Sequence, residues 1–228
     1  MPSSAGPDIV QDGLVLELDA ADRNSYVSGS ATWFDLSGNT RSGSLINGPG
    51  FSSSSLGSIS FDGVDDYVNL GTFTGLGNSN RTISVWFKTV YPNSSATRVI
   101  TLPLDDTNID TPAYTLGLFP NSFINVGFGG APFDGYKAAS YPSQTWVNVT
   151  TTITANTSFT AYLNGTLWLT GTNTGAVATN PIGYIGRYNS NYGQYTSASV
   201  SNVLIYNRVL TPAEVLQNYN ATKTRFGL

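Results

Sequence analysis

Alternation of apolar and polar residues runs through most of the chain, at the two-residue period of half-buried strands. In Leu14–Asp19, Leu14, Leu16 and Leu18 share one face, and Val15, Glu17 and Asp19 share the other. Arg81–Val90 places Ile83, Val85 and Phe87 on one face and Trp86 on the opposite one. Thr97–Leu102, Tyr114–Phe119, Phe123–Phe128, Trp146–Thr154, Ile182–Arg187 and Val200–Tyr206 read as further strands. Ser158–Leu163 and Thr166–Thr170 flank Asn164-Gly165, the sequence of a type I′ hairpin turn. In Ser58–Leu70, strand, acidic turn and strand follow in succession. Ile59 and Phe61 alternate with serines, Asp62-Gly63 turns the chain, and Val68 and Leu70 alternate with Tyr67 and Asn69.

One helix is predicted. Thr211-Pro212-Ala213-Glu214 places Thr at the N-cap, Pro at the first helical position and Glu at the third, a capping box. Val215, Leu216 and Tyr219 form its expected apolar stripe. Many short strands with frequent turns and one helix near the end predict an all-β, two-sheet antiparallel sandwich. The expected organisation is a flexible N-terminal tail over 1–12 and a single domain over 13–228.

Composition narrows the chemistry. With no histidine and no cysteine, the chain has no imidazole base, no thiol nucleophile and no disulfide framework. The net charge of −4 argues against a nucleic-acid partner. No apolar run approaches the ~18 residues of a membrane-spanning helix. The first ten residues, MPSSAGPDIV, lack the basic and apolar regions of a signal peptide.

Three groups of residues carry candidate chemistry. Asp62, Asp65 and Asp66 crowd one turn, and such carboxylates repel unless a hard cation joins them, so Ca²⁺ is the candidate ion. The other reading is that Asp62 caps its own turn and Asp66 pairs with an Arg or with backbone N–H groups. Tyr184, Tyr188, Tyr192 and Tyr195, with Asn189 and Asn191, could form a saccharide platform, which Tyr136 and Tyr141 would extend. The same composition suits a protein interface, and some of these rings could be core. Asp106–Asp110 opens like an EF-hand loop, but Thr111 and Gly117 stand where that loop needs Gly and Glu.

The segments GLVLELDAADRNSY, TWFDLSGN, SISFDGVDDYV, ISVWFK, AYLNGTLW and VSNVLIYNRVLTPAEVLQNYNATKTRFG resemble successive signatures of a laminin-G-like domain of the concanavalin A-like lectin/glucanase superfamily. The resemblance spans Gly13 to Gly227 and implies a jelly-roll sandwich. Both ends are similar to domains in virion proteins of tailed phages of the cyanophage type. That likeness implies a non-enzymatic virion protein, a capsid decoration or a tail or fibre attachment element. It would be made in the host cytoplasm, displayed on the virion surface, and bound to other virion proteins, to further copies of itself or to host-surface polysaccharide. A calcium-assisted lectin-like module is the alternative, and a glycoside hydrolase a remoter one. Laminarinase-like relatives carry alternating acids on one strand with two glutamates as nucleophile and acid. Glu17 and Asp19 match that alternation, but Ala21 stands at the third position, so no catalytic residue is expected.

Overall fold

The computed structural model describes residues 7–74, 76, 79–89, 97–103, 112–119, 123–127, 143–155, 157–172, 182–188 and 194–228. In chain order the first strands are β1 (Leu14–Asp19), β2 (Thr32–Trp33), β3 (Gly43–Ile46), β4 (Gly50–Ser52), β5 (Ser58–Asp62) and β6 (Tyr67–Thr72). Next come β7 (Arg81–Thr89), β8 (Thr97–Pro103), β9 (Pro112–Phe119), β10 (Phe123–Gly127) and β11 (Val147–Thr154). The series ends with β12 (Ser158–Leu163), β13 (Thr166–Thr172), β14 (Ile182–Ile185), β15 (Ser197–Tyr206) and the helix α1 (Pro212–Thr222).

Two antiparallel sheets face one another. The eight-stranded sheet runs β13-β12-β11-β7-β15-β5-β4, with β1 also paired to β15. The seven-stranded sheet runs β10-β9-β8-β14-β6-β3-β2. Their inner faces enclose one core that includes Leu16, Trp33, Ile59, Val85, Phe87, Leu116, Val149 and Ile185. Burial of this apolar surface is the main force holding the layers together. Two polar groups also cross the interior. The Tyr114 hydroxyl meets Thr151 Oγ1 at 3.2 Å. Arg81, 1% exposed, donates from Nη1 to the carbonyls of Leu76 and Ser79. Burial holds its guanidinium down at about 10.

Several expectations from the alternation hold, and others change. Asn164 and Gly165 both have positive φ, 50° and 73°, as a type I′ turn between β12 and β13 requires. The capping box forms: Glu214 N donates to Thr211 Oγ1 and the Glu214 carboxylate accepts from Thr211 N. The acidic turn, in contrast, does not close a hairpin. β5 lies in one sheet and β6 in the other, so Asp62–Asp66 is a corner between the layers.

The helix departs from its expected stripe at one position. Val215 is buried and Tyr219 packs on Trp86, but Leu216 is 46% exposed, and the polar Asn218 and Thr222 are buried beside Val215. Hydrogen bonding fixes this arrangement. Asn218 Oδ1 accepts from Val10 N, and its Nδ2 donates to the Tyr206 hydroxyl. Trp86 on β7 donates to Thr222 Oγ1 and stacks on Tyr219 and Phe226, with ring centroids at 5.6 and 4.1 Å. Part of the expected loose tail is thereby pinned, because Val10 is buried against α1 and Gln217 donates to Asp8 O.

Candidate functional site

At the corner between β5 and β6, one carboxylate oxygen from each of Asp62, Asp65 and Asp66 lies within 4.8 Å of the others. The local hydrogen bonds explain the convergence. Asp62 Oδ1 accepts from Val64 N at 2.8 Å and from Asp65 N at 3.4 Å, and Asp66 Oδ2 accepts from Asp62 N at 3.2 Å. Gly63, at φ 81°, completes the turn where a Cβ would press on Ser197. Asp62 and Asp65 are exposed and Asp66 is 5% exposed. Burial pushes the Asp66 carboxyl above its ordinary value, Asp62 and Asp65 add to this, and the bond from Asp62 N opposes it. Among the described residues no cation pairs with the three acids. Hard oxygens with two open, solvated ligands are the donor set that Ca²⁺ accepts.

The aromatic residues begin at the next position. Tyr67, half-buried, meets Tyr184 edge-on at 6.0 Å and Tyr195 at 6.3 Å. The Arg187 guanidinium carbon sits 4.1 Å from the centroids of both Tyr67 and Tyr184. Such cation–π contacts hold rings rigidly without spending their exposed edges.

Pairing of β6, β14, β8 and β9 sets Asn69, Tyr184, Thr101 and Thr115 in one row on the outer side of the seven-stranded sheet. Asn125 on β10 pairs with Gly117, one step from Thr115 on the same side. Its amide nitrogen and oxygen, and the Thr115 hydroxyl, are buried with no hydrogen-bond partner among the described residues. Thr101, Thr115, Asn125 and Tyr184 are 0–3% exposed, so of this row Asn69 alone is half-buried rather than buried.

Of the tyrosines expected to form a platform, the structure brings Tyr184 and Tyr195 together. Tyr188 is 5% exposed beneath Arg98, whose guanidinium lies 5.1 Å from its ring, which is packing and not display. Tyr184, 3% exposed, offers little surface itself. Asn189, Asn191, Tyr192, Tyr136, Tyr141 and the Asp106–Asp110 segment lie outside the described residues. Tyr67 and Arg187 were not anticipated. The only sequence signal for Tyr67 is its place between the inward Asp66 and Val68.

The alternating acids of β1 part company. Asp19 takes a bidentate bond from Arg225, with Nη1 at 2.5 Å and Nη2 at 2.9 Å. Among the described residues Glu17 has no such partner. Its carboxyl is pushed up to about 7, first by burial and then by Asp19, Asp35 and Asp22. Asp35, distant in sequence, comes to β1 by accepting from Glu17 N at 2.9 Å.

Among curated proteins none matches this sequence. Among solved structures, a Trypanosoma rangeli sialidase in complex with the inhibitor DANA superposes with a TM-score of 0.75 at 16% identity, over 98% of this chain and 36% of that one. This chain therefore spans about a third of the sialidase. Domain 4 of AbnA, a GH43 extracellular arabinanase from Geobacillus stearothermophilus solved with arabinotriose, gives 0.69 at 18% identity, over 90% of this chain and 98% of that domain. The binding domain of Paraclostridial Mosquitocidal Protein 1 gives 0.70 at 16%, over 92% and 52%. At these identities the likeness concerns the fold.

The comparisons correct the expectation of a non-enzymatic chain. The same sandwich occurs within a sialidase and an arabinanase, so the missing second glutamate does not set this fold apart from enzymes. The likeness to phage virion proteins has no counterpart among these structures. A family model described as the concanavalin A-like lectin/glucanases superfamily, laminin-G type, matches residues 62–216, and the chain belongs to that superfamily.

Proposed function

We propose that the chain is a carbohydrate-binding sandwich module, with Ca²⁺ held at the corner between its sheets. One observation carries the reading: three converging carboxylates, without a paired cation among the described residues, are followed directly in the chain by Tyr67, which meets Tyr195. Asp62, Asp65 and Asp66 would hold the ion, and the ion would accept sugar hydroxyls in its open positions. Tyr67 and Tyr195 would stack on the apolar C–H face of a pyranose or furanose ring. Arg187 orients Tyr67, and half-buried Asn69 beside it on the outer side of β6 would extend the contact. That the arabinanase domain was solved with arabinotriose supports a saccharide of this size.

Calorimetry with arabinotriose and a glycan array, each with calcium and with EDTA, test the reading. Binding should need calcium and should fall in Tyr67→Ala and Tyr195→Ala. Calcium-saturated protein that retains no glycan would refute it.

Attachment to a tailed-phage particle, at the virion surface and against other virion proteins, is a second reading. The segments that carry that resemblance form β1, β15 and α1, which pack into one continuous face. Mass spectrometry of purified particles from the source virus would detect the chain or dismiss the idea.

A further inference from the structure

The side of the sandwich beside β4 carries a cavity that the carbohydrate reading leaves unused. It has a volume of about 520 Å³, within the usual range for small-molecule sites. Its floor is aromatic: the Tyr26 and Phe51 rings lie 5.4 Å apart, tilted by 35°. Val27 and Leu56 form the walls, and they are 60% and 68% exposed, among the most exposed large apolar residues described.

The fold builds this shape at a conformational cost. Ser55 and Leu56 both have positive φ, 53° and 69°, which non-glycine residues adopt rarely. Gly57 lets this turn sit directly on the backbone of Ala20 and Ala21, since a Cβ there would lie 2.2 Å from Ala20 O. Ser201 Oγ fixes the turn by donating to Gly57 O at 2.6 Å. A strained backbone that holds a leucine out in water gains nothing in the isolated chain. The one cation of the lining, Arg23, is exposed and has no ion pair among the described residues. Its neighbour Asp22 turns back to accept from Asn24 N at 2.7 Å.

We infer that this cavity binds a small amphipathic monocarboxylate, a medium-chain fatty acid or similar, whose apolar tail lies on Phe51 between Val27 and Leu56 and whose carboxylate meets Arg23. The inference is independent of the saccharide site.

Octanoate, octanol and acetate are the probes, titrated into the full chain while methyl NMR follows Val27 and Leu56. Octanoate should give saturable shifts at both methyl groups, octanol weaker binding and acetate none. Arg23→Gln should weaken octanoate about three- to fivefold, the worth of an exposed ion pair, and leave octanol unchanged. Leu56→Ser should weaken octanoate and octanol by the same factor. Both side chains are exposed, so the thermal midpoint should stay constant and report that the variants fold. The inference falls if octanoate gives no saturable shift at Val27 and Leu56, if Arg23→Gln weakens octanol as much as octanoate, or if neither variant alters binding.

Discussion

Replacing Glu17 by Gln tests the electrostatics of the outer face of the eight-stranded sheet. The Glu17 carboxyl rises from 4.5 to about 7 because burial disfavours its charge and Asp19, Asp35 and Asp22 surround it with more. The folded state therefore holds this proton more tightly than the unfolded chain does. The stability associated with the neutral carboxyl is fully present below about pH 4.5 and is lost as the pH rises through about 7. Taken whole, that rise corresponds to about 3.4 kcal/mol. Glu17 keeps part of its surface in water, and screening reduces the figure to about 1–2 kcal/mol. Gln is the neutral carboxyl's isostere and carries no charge at any pH. For a chain of this size the variant should melt about 2–8 °C above the parent near pH 8.5, and within about 1 °C of it near pH 4.5. Paired differential scanning calorimetry across that range measures the difference. Asp66, also raised, titrates in both proteins and cancels. An equal gap at both pH values, or a less stable variant at pH 8.5, would refute the account.

Other perturbations probe separate parts of the fold. Calcium at about 100 times its dissociation constant should add about 2.7 kcal/mol to stability, reversed by EDTA and absent in Asp66→Asn, as thermal melts would show. Arg225→Ala removes the bidentate partner of Asp19, a pair only 14% and 15% exposed, and should cost about 1–3 kcal/mol in urea unfolding. The same change should loosen Phe226 from Trp86 and red-shift tryptophan emission. Gly57→Ala should cost about 3 kcal/mol or more in the same assay, because its Cβ would collide with the Ala20 carbonyl oxygen.

Alternation reports which side of a strand is buried, and here it places Ile83, Val85, Phe87, Leu16 and Leu18 in the core between the sheets, whereas a register shift after Leu14 moves that residue to the outer cluster with Tyr206. Local chemistry likewise reveals the Asn164-Gly165 turn and the Thr211 cap, because every partner lies within a few residues. What alternation lacks is any label for the layer to which a strand belongs. Ser58–Leu70 is the sharpest case. Its two strands have the pattern of a hairpin, but β5 pairs with β15 and β4, while β6 pairs with β14 and β3. Only the long-range pairings make the acidic turn a corner.

The same limit governs the site. Tyr67 meets Tyr184 and Arg187 because β6 and β14 run antiparallel with a register shift between Gly183 and Tyr184, which no local pattern encodes. The helix departs at Leu216 for a different reason. The stripe of Val215, Leu216 and Tyr219 holds at Val215 and Tyr219, whereas two hydrogen bonds made by Asn218 and one from Trp86 leave Leu216 outside. Buried polar groups require partners, and in this helix that requirement outweighs the gain from burying one more leucine. The legible parts are thus those whose energy is local, and the carboxylates, tyrosines and arginine of the proposed saccharide site gain their meaning from contacts that span the chain.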